Sequence, residues 1–153
     1  MGPDGFGMGD ALAARPVPDG TTRLLDLLQT APAGSRELDA RIDCFLADRQ
    51  FVGMEISPRY QWRGPDRGAV QAAQPPVRWS DDLMALLRLI PADHNFSLGV
   101  RDGVIWAWLQ PNDGWEPADH EVRHDHPRGS GLIVAHTVPL ALAAAMVTLR
   151  GRL

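Results

Sequence analysis

Residues 95–111, NFSLGVRDGVIWAWLQP, decide the fold. Two apolar runs flank Arg101-Asp102-Gly103, the turn chemistry of a β-hairpin. In the second run Val104, Trp106 and Trp108 alternate with Ile105, Ala107 and Leu109, so both faces of the strand are apolar. Such a strand needs cover above and below. The chain is therefore expected to be α+β: a single small domain with a mainly antiparallel sheet and helices packed on both faces, an α-β-α sandwich.

The flanking segments supply the helices. Upstream, WSDDLMALLRLIP (79–91) offers Ser80 as a cap, Asp81 and Asp82 in the first turn, and Leu83, Leu86, Leu87 and Ile90 facing inward until Pro91. Earlier still, TRLLDLLQT (22–30), capped by Thr21 or Thr22, forms a first helix that Pro32 and Gly34 end. Ser35 then caps a second helix, with Glu37 in its first turn and Leu38, Ile42, Phe45 and Leu46 at helical spacing. Downstream, GLIVA (131–135) fits a last strand, and Thr137 or His136 caps a final helix with Pro139 in its tolerated first turn. The uncharged run 132–149 has the length of a membrane span, but His136, Thr137 and Pro139 interrupt it. A strand end followed by a core helix explains it better. Residues 1–20, dense in Gly, Pro and Asp, read as a flexible arm, and 21–153 as the domain, with irregular insertions near 57–78 and 110–130.

Composition narrows the function classes. The net charge of −4 offers no general attraction to nucleic acid, and direct nucleic-acid binding is not expected. All fifteen basic residues are arginine, which with the Ala, Gly and Pro richness reads as coding bias. A single cysteine, Cys44, excludes an internal disulfide and a Cys-based zinc site, and with no secretory leader at the N-terminus it points to a reducing cytoplasm. Beside Phe45 on an apolar helical face, it reads as inert packing.

Two segments invite chemical readings. His120-Glu121-Val122-Arg123-His124 spells the HExxH of zinc peptidases, which needs a rigid helix to set both histidines on one face. Pro117 and Pro127 leave barely two turns, Val122 is the only apolar residue from Ala118's neighbour to Gly131, and no glutamate follows Glu121. The expected state is a solvated loop without cofactor, and zinc held by His120, His124 and His126 is the alternative, as a bare metal site or as a hydrolase with Glu121. The second segment, PRYQWRGPDRG (58–68), groups Arg59, Tyr60, Trp62, Arg63 and Arg67. Aromatic faces can stack on a base while guanidinium forks pair with phosphate, so these five are the candidate ligand-binding residues. The competing reading is an amphipathic strand whose Tyr60 and Trp62 cover a sheet edge. No G-x-S-x-G elbow or phosphate-cradling loop is present, and no catalytic residue is assigned.

Three segments, LLDLLQTAPAGSRELDARIDCFL (24–46), RWSDDLMALLRLIPADHNFSLGV (78–100) and AHTVPLALAAAMVTLRGRL (135–153), together resemble a family of small phage and prophage proteins, the phage α-β-α sandwich domain. The resemblance implies a phage origin and a layered fold, and it brings no catalytic residues to carry over. The function expected from it is that of a non-enzymatic accessory protein in the cytoplasm of the infected bacterial host. Such a protein acts by binding a host defence protein or sequestering a nucleotide signal, and self-association is left open. The alternatives are the metal-dependent hydrolase and a minor virion structural or assembly protein. The chain departs from the family pattern in its N-terminal arm and in the segments 57–78 and 110–130.

Overall fold

The computed structural model describes residues 19–66, 68–119 and 122–151. Four helices and six strands follow in the order α1 (Asp19–Thr30), α2 (Arg36–Leu46), β1 (Gln50–Met54), β2 (Tyr60–Arg63), β3 (Gln71–Ala73), α3 (Leu83–Leu87), β4 (His94–Arg101), β5 (Val104–Pro111), β6 (Ile133–Ala135) and α4 (Val138–Gly151). All strand pairings are antiparallel and form two sheets, β1-β2-β3 and β4-β5-β6. The fold is α+β, as the pattern of the chain requires.

The deciding hairpin has the expected register, with Arg101 opposite Val104 and Gly99 opposite Trp106. Asp102 and Gly103 both take positive φ, 52° and 78°, the conformation that a tight two-residue hairpin turn requires. The two faces of β5 meet different cover. Ala107 and Leu109 are buried in the main core, with Ile105 packed against it, and α4 lies on this sheet. On the other face Trp106 stacks on Trp108 with ring centroids 4.9 Å apart, and the 3-10 turn Arg123–Asp125 brings His124 to 5.7 Å from Trp108. A Cβ at Gly99 would overlap the Trp106 ring, so glycine on β4 makes room for the indole.

α4 is the central helix. Every residue from Leu140 to Ala145 is buried, and the helix contacts all three strands of its sheet as well as α1 and α3. A helix apolar on all sides is stable only when it is wrapped in this way, and its alanines let neighbours approach closely. At 14 residues it is too short to span a bilayer; among the described residues no helix is long and apolar enough to cross a membrane.

α1 begins at Asp19, so Thr21 and Thr22 lie inside the helix and neither caps it. Gly20 in the first turn is unfavourable by about 1 kcal/mol relative to Ala, a weak propensity that burial of Leu24 and Leu28 overrides. Ser35 caps α2 as expected, accepting from the Leu38 N–H at 3.1 Å. Thr137 caps α4 by accepting from the Leu140 N–H at 3.2 Å. α3 differs: Asp82 is its cap, accepting from the Ala85 N–H at 3.0 Å, and Ser80 is drawn into the interior. The reason is a better partner for Ser80, the buried carboxylate of Asp39. The first strand starts at Gln50, directly after the α2 turn, with a bulge between Phe51 and Gly53.

Each i, i+4 stripe of α2 faces a different environment. Leu38 and Ile42 enter the main core, whereas Ala40 and Cys44 join Tyr60 in a second cluster under β1-β2-β3. Asp39 and Asp43 face a polar network, and Arg41 and Phe45 face a cleft. At 100° per residue, four stripes use the whole circumference.

Candidate functional site

The polar network is a closed system. Asp39, with its side chain 1% exposed, receives Ser80 N–H at 2.8 Å, the Ser80 hydroxyl at 2.5 Å and Arg78 Nε at 2.5 Å. Ser80 Oγ in turn accepts from the Ser35 N–H at 3.0 Å, tying the start of α2 to the start of α3. One turn along, Asp43 receives Tyr60 OH at 2.5 Å and Trp79 Nε1 at 3.0 Å. Burial, and the hydrogen bond to Asp43, push the Tyr60 phenol well above its ordinary range. Every carboxylate oxygen here has a donor from the protein, which is how a fold is held and not how a substrate is met.

The sequence-nominated ligand residues do not converge. Tyr60 is fully buried and committed to Asp43, so it cannot stack on a ligand; the paired-carboxylate partner on α2 is the physical reason. Trp62 is covered by Arg49, whose guanidinium carbon lies 4.1 Å from the ring centroid. Arg59 is exposed and sits 3.4 Å from Glu55, and Arg63 is exposed at the end of β2. Arg67 lies outside the described residues.

His120 and Glu121 of the HEVRH segment also lie outside the described residues. Its remaining part is a single 3-10 turn, Arg123–Asp125, in place of the regular helix that a zinc peptidase needs. His126 is 3% exposed and both ring nitrogens are occupied: Nδ1 accepts from the Arg128 N–H at 2.9 Å, so Nε2 carries the proton and donates to Asp113 at 3.0 Å. Asp113 also receives Arg128, and the His126 hydrogen bond holds its carboxyl down at about 2. With Trp115 tilted onto the imidazole at 5.1 Å, this trio ties the two ends of the irregular 112–131 segment to each other. Among the described residues no three His, Cys, Asp or Glu side chains gather as a metal site.

The candidate site lies on the remaining face of α2. A cleft of about 680 Å³ opens where α1, the end of α2, β1 and the end of α4 meet. This is the size of small-molecule sites, roughly 300–1,000 Å³. Arg23, Arg41, Arg49 and Arg150 line it against one carboxylate, Asp48. Three of these guanidiniums lie over aromatic rings: Arg41 on Phe51 at 4.4 Å, Arg49 on Trp62 at 4.1 Å and Arg150 on Phe45 at 5.2 Å. Stacking fixes the plane of a guanidinium while leaving its N–H edge free, which is the preorganised fork for an oxyanion. Arg41 is also paired with Glu37 at 3.0 Å. Among the described residues, Arg23, Arg49 and Arg150 have no carboxylate partner; Arg49 reaches the Tyr60 hydroxyl oxygen at 3.4 Å and Arg150 the Phe45 and Leu46 carbonyls at 3.5 Å.

Cys44 lines the cleft floor but is 2% exposed, and burial pushes its thiol up to about 11, so it remains a neutral packing group. The four arginines come from α1, α2, the α2–β1 turn and α4, and no local motif unites them. One signal was present in the sequence: FLADRQF (45–51) ends an apolar helical run with Asp where glycine is the usual terminator. Comparison with family models, with curated proteins and with solved structures finds no match to this chain.

Proposed function

We propose that this protein acts by binding, and that the ligand is a small oxyanion carrying an apolar portion, held in the arginine cleft. One observation carries the reading: among the described residues three of the four cleft guanidiniums have no carboxylate partner, in a chain whose net charge is −4. A cleft left positive on an acidic protein favours an incoming anion, and the low-dielectric walls formed by Leu24, Phe45, Phe51 and Val52 strengthen that preference.

Together with the likeness to phage α-β-α sandwich proteins, the cleft supports an accessory role in an infected bacterial cytoplasm: sequestering an anionic nucleotide signal. Binding of a host defence protein is the less favoured form of the same role, because a concave cleft suits a small molecule better than a protein face. The test is calorimetric titration of the full chain with inorganic pyrophosphate at low and at physiological salt. Saturable binding that weakens as salt rises, and that drops at least tenfold in an Arg23→Ala/Arg49→Ala variant, is the expected result. No heat and no rise in Tm with any of pyrophosphate, nucleoside phosphates or aromatic carboxylates would remove the basis for this reading.

A further inference from the structure

The single carboxylate of the cleft occupies a place where its own backbone disfavours it. α2 ends in a Schellman turn: the Arg49 N–H bonds the Cys44 carbonyl at 2.8 Å and the Asp48 N–H the Phe45 carbonyl at 3.4 Å, with Asp48 at φ 57°. Glycine is the usual occupant of this left-handed position, because it has no Cβ to crowd the backbone. Asp102, the other described non-glycine residue with positive φ, belongs to an Asp-Gly hairpin turn that calls for such a residue. Asp48 is followed by Arg49 and not by glycine, so no such hairpin turn calls for it, although aspartate is one of the few non-glycine residues that visit this region. Its carboxylate has no hydrogen-bond or ion-pair partner among the described residues, and it lines the cleft among four arginines without closing on any of them.

A pure anion trap would exclude this charge, since it opposes the field of the arginines. A carboxylate kept there at a conformational cost accepts a hydrogen bond. We infer that Asp48 is a specificity-determining residue that accepts from a hydroxyl group of the ligand, and that the ligand is a nucleotide whose phosphates lie on the arginines and whose ribose hydroxyls reach Asp48. This inference rests on the arginine-cleft reading and adds the donor that the ligand must carry. The cleft dimensions and its Leu24, Phe45 and Phe51 walls leave room for a base.

The experiment uses the full chain and a matched pair of probes, ADP and inorganic pyrophosphate, which is the anionic part of ADP alone. Two variants separate the roles of Asp48. Asparagine tolerates the left-handed backbone, so Asp48→Asn removes the charge and leaves the turn. Asp48→Gly removes the side chain and relaxes the turn, and Tm should rise by about 3 °C. Wild-type protein should bind ADP more tightly than pyrophosphate. In Asp48→Asn, ADP affinity should fall by about tenfold, the effect of replacing a charged acceptor by a neutral amide oxygen, while pyrophosphate affinity holds or increases. If neither probe binds the wild type, the arginine-cleft reading itself fails. If pyrophosphate binds but ADP has no advantage, or if Asp48→Asn weakens both equally, the cleft reading stands and the role given to Asp48 is overturned. A Tm that falls in Asp48→Gly would show that the aspartate supports the turn and would overturn the argument from its backbone.

Discussion

Two faces of α2 carry charge, and they are built in opposite ways. Asp39 and Asp43 point toward the 78–80 segment and Tyr60, where every carboxylate oxygen meets a donor in the protein. Arg41, with Asp48 and Arg49 just beyond the helix, points into the cleft, where three guanidiniums rest on rings and, among the described residues, most are not paired with a carboxylate. A satisfied buried network rigidifies and fixes one arrangement. Unpaired, preoriented charge stores binding capacity instead. The same helix therefore serves the fold on one side and, in the proposed function, a ligand on the other, and substitutions should divide along that line.

The sharpest break would come from Asp39→Ala. It strands the Ser80 N–H and hydroxyl and leaves Arg78 without its main partner, so unfolding free energy in urea should drop by about 3 kcal/mol. A loss below 1 kcal/mol would mean the network is ornamental to stability and the contrast is false. Tyr60→Phe keeps the packing and removes one donor to Asp43, and about 1–2 kcal/mol should be lost in the same assay. Gly99→Ala probes the opposite side of the molecule: the added methyl displaces the Trp106 ring, and a cost of about 1 kcal/mol should accompany a change in near-ultraviolet circular dichroism from the Trp106–Trp108 stack.

On the cleft side, Arg23→Ala should alter stability by less than about 0.5 kcal/mol, as for an exposed surface residue, yet reduce pyrophosphate affinity severalfold. Equal effects on stability and binding would erase the distinction between the two faces. Asp113 sharpens the comparison from a third position, since it is paired but partly exposed. Its folded value, depressed from 3.8 to about 2 chiefly by the His126 hydrogen bond, means that the contribution is complete above about pH 4 and is lost as pH falls toward 2. Trp115, packed on His126, should report this as a fluorescence change in that window that disappears in Asp113→Asn. A flat signal between pH 4 and 2 would show that the pair does not hold the segment.

Much of the architecture was legible because it depends on local pattern. The Asp102-Gly103 turn, the two apolar faces of β5, Ser35 and Thr137 as caps and the apolar α4 are each specified within a few residues. Ser80 shows where that reading fails: its spacing fits an N-cap, but Asp39, forty-one residues away, competes for the hydroxyl and leaves Asp82 to cap the helix. Tyr60 shows the same for function. Among Arg59, Trp62 and Arg63 it looks like a stacking group, yet Asp43 from α2 draws it inward, because a buried carboxylate must find donors.

By itself the sequence determined the types of the main helices, the antiparallel hairpin and the excess of acid over base, but not the strands β2 and β3 within the segment expected to be irregular, because periodicity, turn chemistry and charge are properties of short segments or of the sum. Only the tertiary structure decided which charges neutralise one another. Asp39 meets Arg78 and Asp43 meets Trp79 across long chain separations, while Arg23, Arg49 and Arg150 gather from three distant segments around Asp48 and, among the described residues, none of them pairs with a carboxylate. Electrostatic partnership depends on distance in space and on burial, and neither is written in the order of residues.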